Sequence, residues 1–169
     1  MNTKKVMGFE NLKRCKDCGG KCCKNFPGAY FPGDYGFEEI TVENLLKMFR
    51  TGKIAVDWWF GNLRGIPEDE IDSLGLVYYI RPKRKGVEAL VDFDFIGDYT
   101  CIFLASDGCE LPFHQRPLNC RMLKPGEKEG ERCRIDDNYT KEGAVIAWIP
   151  YQDIIKEAII LYEKERNHE

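Results

Sequence analysis

Eight cysteines constrain this chain more than any other feature. They are grouped as Cys15-x2-Cys18-x3-Cys22-Cys23 and then, far downstream, Cys101, Cys109, Cys120 and Cys133. Thiols arranged four and four are either a disulfide framework or a site for a soft metal. The chain has 169 residues, 43% of them hydrophobic and 12% aromatic, enough to build an ordinary core. That length predicts one cysteine-cluster domain over residues 1–169. It also removes the need for the covalent staples that chains below about 70 residues require. The cysteines therefore call for a chemical role.

Compartment decides between the two readings. Met1 to Glu10 contains Lys4 and Lys5 but no apolar stretch of the kind that follows the charged start of a secretory signal. No apolar run approaches a membrane span. These features predict a cytoplasmic chain with no membrane partner, in a reducing compartment where stable disulfides are uncommon. Metal is favoured over disulfides on that ground. The sequon Asn138-Tyr139-Thr140 matters only in a secreted chain, and here it reads as chance.

Net charge is −3, so nothing suggests a phosphate-binding face, and nucleic acid is not an expected partner. The cations are uneven, however. Arg14, Lys16, Lys21 and Lys24 interleave with the first cysteine group, and Arg121, Arg132 and Arg134 flank Cys120 and Cys133. They are either solvated surface charge or compensation for the roughly −2 charge of a zinc tetrathiolate.

Patterning predicts a small α+β fold: a short antiparallel sheet, two or three helices and long cysteine-bearing loops. Residues 26–36 are dense in Pro and Gly and read as an ordered aromatic loop. Val42, Leu45, Leu46 and Phe49 recur at helical spacing behind Thr41, a good N-cap, so a helix is predicted from Thr41 to Thr51. Ile54 to Phe60 alternates as a short strand. Leu76–Ile80 and Val87–Phe95 read as two strands of an antiparallel hairpin around the turn at 81–86. In the second of these, Val87, Ala89, Val91, Phe93 and Phe95 are assigned to one face, opposite Glu88, Asp92 and Asp94. Thr100 to Leu104 reads as another strand. Residues 107–137 are irregular and carry three cysteines, an unusual length of loop unless metal ligation restrains it. A helix is expected from Pro150 to Arg166, preceded by another over 140–149 that Pro150 interrupts.

Cysteine binds metal as thiolate, a soft donor suited to zinc, Cu(I) or iron–sulfur clusters. Cys15-x2-Cys18 has the spacing of a two-ligand knuckle. A redox pair of the same spacing belongs in a βαβ setting, and no strand is predicted before Cys15. If Cys22 and Cys23 lie in an extended segment, their side chains point to opposite sides and are best divided between two centres. Cys15, Cys18 and one of that pair would share a site with one downstream cysteine, and the other would join the remaining three. The downstream spacings match no tight ferredoxin run, so spacing does not separate the metals.

The motifs C-x-F-L at Cys101-Ile102-Phe103-Leu104, G-C at Gly108-Cys109 and R-P-x-x-C-R from Arg116 to Arg121 follow the first cysteine group in order. Together they resemble the YkgJ-like cysteine cluster family, also called the CxxCxxCC family of zinc- or iron-chelating domains. The resemblance covers residues 15–23 and 101–121, with Cys133 and the C-terminal helix read into the same unit. Here three residues separate Cys18 from Cys22, where the family name implies two. The resemblance implies that all eight cysteines chelate, holding zinc or an iron–sulfur cluster, for which the 4Fe–4S form is one candidate. Some family members resemble flagellin lysine N-methylases, but this chain has no G-x-G-x-x-G element for a nucleotide cofactor. The implication carried over is chelation and not group transfer.

Other candidates rank lower. His114 and His168 read as exposed. Arg116 and Arg121 are assigned to hydrogen bonds around the sulfurs, with carboxylate pairing the plainer alternative. Asp57, Asp92 and Asp94 form an apparent carboxylate cluster, of which alternation on a hairpin face explains Asp92 and Asp94 without chemistry. Trp58, Trp59 and the Tyr30–Tyr35 loop read as core packing. Three roles stay open: a metal or iron–sulfur protein, a cluster-dependent enzyme (lysine N-methylase-like or redox), and a zinc-shaped module for a protein partner.

Overall fold

The computed structural model describes residues 7–25, 28–93, 100–128 and 130–168. It is a small α+β fold of two antiparallel two-stranded sheets and a set of helices. The first cysteine group lies on two short helices, α1 (Leu12–Asp17) and α2 (Lys21–Asn25). Asn11 caps α1 by accepting the Arg14 amide at 2.9 Å.

Helix α3 (Val42–Phe49) forms where the periodicity places it. The Thr41 hydroxyl accepts the Asn44 amide, and Leu45, Leu46 and Phe49 are buried. Strands β1 (Ile54–Trp59) and β2 (Val77–Pro82) pair antiparallel, with Ile54 opposite Pro82 and Trp59 opposite Val77. Between them lies α4 (Glu68–Leu74). Two further strands, β3 (Leu104–Ala105) and β4 (Gly108–Cys109), make a tight hairpin. Then come α5 (Leu118–Arg121), α6 (Lys141–Trp148) and α7 (Gln152–Arg166), with a 3-10 turn holding Pro150 between the last two. Pro150 cannot donate to the helical ladder, and it breaks the helix as expected.

Three sequence expectations need correction. The partner of β2 is β1 and not residues 87–95. Of that second segment only Val91 bridges, in parallel, to Val56, while positions 94–95 lie outside the described residues. Its facing is also different. Leu90 and Asp92 are buried, because Arg81 Nη2 donates to Asp92 Oδ2 at 2.8 Å and draws the carboxylate inward. Thr100–Leu104 is no strand: Cys101 makes one antiparallel bridge to Arg84, and β3 starts at Leu104. The three helices of eight residues or more, α3, α6 and α7, match the expected two or three, and α1, α2, α4 and α5 add short segments.

One buried cluster runs from Ala29 to Ala158, with Phe37, Leu45, Phe49, Ile80, Trp148 and Ile155 inside it. Its α7 side is fastened by Gln152, whose side chain both donates to the Tyr78 carbonyl and accepts the Tyr78 amide. Beneath the sheet, Asp57 accepts from Arg81 Nε and from the Tyr79 hydroxyl, each at 2.8 Å. Asp57 and Asp92 are therefore counter-ions of buried arginines, and a structural role accounts for both. Tyr30 donates its amide to Ile80 and accepts Trp148 Nε1 on its carbonyl. The aromatic loop is thus packed against the edge of β2, and its far side carries Gly28 toward the cysteines.

Candidate metal centre

All eight cysteines line one chamber of about 430 Å³. Five elements bring them there. Cys15 and Cys18 come from α1 and its C-terminal cap, and the vicinal pair comes from α2. Cys101 and Cys109 bracket the β3–β4 hairpin, Cys120 sits on α5, and Cys133 lies within the bend closed by the Lys124–Arg134 bridge. Cys101 is buried, Cys133 exposed, and the other six are half-buried. All eight are free thiols.

The vicinal pair is helical and not extended as expected. Successive helical residues are rotated by about 100° (3.6 residues per turn), so Cys22 and Cys23 still diverge, though by less than in a strand. Their sulfurs stand 3.9 Å apart. A hydrogen bond from Cys23 favours the Cys22 thiolate and lowers it to about 6, well under the ordinary thiol range. The same bond, and then burial, raises Cys23.

The remaining thiols show what crowding like groups in a half-dry chamber does. Burial raises Cys101 to about 11 and holds Cys120 well above its usual value, and the charges of neighbouring thiols push both further. Burial likewise raises Cys15, Cys109 and Cys133. Such a set keeps its protons, and a bound cation is what would favour the thiolates in their place. Asp107 is the one acidic residue among those lining the chamber, so the donor set is sulfur and soft. On donor chemistry the residues fit a thiophilic metal. Among the described residues, no group of three or more Cys, His, Asp or Glu is gathered tightly enough to hold an ion.

The cations behave unequally. The positive charge of Arg14 favours the Cys133 thiolate, and that of Arg116 favours those of Cys15 and Cys109. Lys85, which the spacing argument did not mark, acts on Cys101 and donates to the Leu104 carbonyl at 2.6 Å. Lys16, Lys21, Lys24, Arg132 and Arg134 are exposed, and for them the solvated reading holds. Arg121 takes the carboxylate role: Nη2 donates to Asp34, Nε to the Arg116 carbonyl and Nη1 to the Met7 carbonyl. His114 is exposed, edge-on to Tyr35, and His168 is exposed at the end of the chain.

Two polar residues beside the chamber were not marked in the sequence. Asp34 and Asn119 are 3% and 2% exposed. Asp34 Oδ2 accepts the amides of Phe31 and Leu118, and Asn119 Oδ1 accepts the Ala29 amide. Together they bind the aromatic loop to α5, the helix of Cys120. The available signal was the pairing of a polar residue with an otherwise apolar loop, a weak one. Among the described residues no helix is long and apolar enough to cross a membrane. Comparison with protein-family models, curated proteins and solved structures finds no match to this chain.

Proposed function

We propose that this chain is a soft-metal protein whose eight cysteines, from Cys15 to Cys133, hold an iron–sulfur cluster or zinc. The carrying observation is that sulfurs from four separate stretches of sequence line a single chamber. The sulfur donor set suits either form, since zinc and iron–sulfur clusters are both held by thiolates. When bound, such a cluster supplies one-electron chemistry, whose potential follows hydrogen bonds to the sulfurs and solvent exposure. The chain itself contributes ligands, the cationic Arg116 and Lys85 beside them, and the apolar wall of Leu104, Leu111 and Leu123 that limits water. The 4Fe–4S type, the resemblance to the YkgJ-like family and a cytoplasmic setting belong to the same proposal.

Anaerobic purification of the full chain, with elemental analysis and a visible spectrum, tests it. A brown protein carrying iron and acid-labile sulfide in matched amounts supports the cluster form. A colourless protein with stoichiometric zinc supports the zinc form. A protein that carries neither metal, and takes up neither when reconstituted, overturns the proposal.

A further inference from the structure

We propose that the chamber is two four-thiol halves, Cys15, Cys18, Cys22 and Cys133 in one and Cys23, Cys101, Cys109 and Cys120 in the other, each taking its own soft metal centre. This rests on the metal-binding reading above and assigns its ligands.

Each half has its own covalent and hydrogen-bonded frame. In the first, Cys15 and Cys18 share α1, and the Cys18 thiol donates to the Cys15 carbonyl at 3.3 Å. Arg14, immediately before Cys15, donates through Nη2 to the Lys128 carbonyl, which fastens α1 to the bend that holds Cys133. In the second, the Cys101 amide donates to the Cys23 carbonyl at 2.8 Å. Cys109 lies opposite Leu104 across the hairpin that begins just after Cys101. Cys120 closes on Gly28, five residues past Cys23, so closely that a Cβ there would overlap its sulfur. Cys22 stands at the inner edge of the first half, one residue and 3.9 Å of sulfur separation from the second.

A helical turn explains how one dipeptide serves two centres. Rotation of about 100° between neighbours aims Cys22 and Cys23 into different sectors, while their shared peptide keeps the sectors adjoining. Soft metals then draw each donor set together, since metal binding and local folding are one equilibrium in such sites.

Cobalt(II), added anaerobically to the full metal-free chain, tests the division, because its thiolate charge-transfer bands report each filled site. The expected result is saturation at two equivalents. Cys133→Ser and Cys15→Ser should each remove one equivalent and leave the other, as should Cys109→Ser from the opposite half. Cys133→Ser combined with Cys109→Ser should abolish tight binding. The retained equivalent in each single variant shows that the chain still folds. Wild-type saturation at one equivalent, or loss of both in Cys133→Ser or Cys109→Ser, overturns the division while leaving thiolate metal binding intact. A wild-type chain that shows no thiolate–cobalt band overturns the metal reading itself.

Discussion

Asp34 Oδ1 accepts Arg121 Nη2 at 2.8 Å, an ion pair whose side chains are 2% and 11% exposed. It spans from the aromatic loop to the helix that carries Cys120. Removing one partner leaves the other charge buried, the costly case for an internal pair. Asp34→Ala also orphans the amides of Phe31 and Leu118. The expected loss is about 3–5 kcal/mol. Asp34→Asn, which keeps one acceptor oxygen, should lose only about 1–3 kcal/mol. Urea denaturation of both variants checks the order; equal losses would show that the amide bonds from Phe31 and Leu118 add nothing beyond the lost charge.

The acid limb of stability should be shared between two carboxylates that act in opposite senses. Burial raises Asp92, but hydrogen bonds from Arg84 and Arg81 outweigh it and hold the carboxyl below its usual range. Its contribution is therefore complete above about pH 4, the unfolded value, and fades as pH falls through the lower folded value. Asp34 runs the other way. Burial outweighs its bonds to Phe31, Leu118 and Arg121 and holds it above the usual range. Its contribution is complete below about pH 4 and is lost as pH rises through the higher folded value. A carbon-13 carboxyl titration should place the Asp92 midpoint below that of Asp34, and the reverse order refutes both assignments.

What could be read from sequence was what is decided locally. Thr41 names the start of α3 because an N-cap is a contact over three residues, and the break at Pro150 follows from a missing amide. Partner choice is another matter. Alternation shows that Val87–Phe93 could line a sheet, yet β1 takes β2, and the deciding contact is Arg81 to Asp92, eleven positions apart and invisible to period-two reasoning. Likewise the soft donor set was legible from spacing, whereas its framing by Arg14–Lys128 and Cys23–Cys101 depends on contacts that span 114 and 78 positions. Asn119 and Asp34 gave almost no signal for the same reason.

Metal removal should open the segment around residues 107–137 before it opens the core. A filled structural zinc site is worth about 10–16 kcal/mol in small zinc peptides. Whole domains are stable by only about 5–15 kcal/mol. The hydrophobic cluster from Ala29 to Ala158 includes the buried residues of the aromatic loop and contains no cysteine. Trypsin after anaerobic chelation should therefore cut faster at Lys128, Arg132 and Arg134, while sites in α3 and α7 stay slow. An unchanged digestion pattern would mean that the loop stands without metal.

Gly28 gives the sharpest steric test of the chamber. It is not among the glycines with positive φ, so alanine there meets no backbone penalty and the cost is contact alone. A Cβ at Gly28 would overlap the Cys120 sulfur and lie 2.6 Å from Asn119 Oδ1. Gly28→Ala should therefore cost about 1–3 kcal/mol, the usual range for overpacking. It should also reduce metal bound per chain by displacing Cys120. Cys120→Ala in the same background removes the nearer of the two obstructing atoms, so part of the stability penalty should disappear while metal binding at that position stays lost. A double-mutant cycle separates the two effects, with a coupling of about 0.5–3 kcal/mol expected for residues in contact. If Gly28→Ala costs the same with and without the Cys120 sulfur, the close approach of that loop to the cysteine helix is wrong.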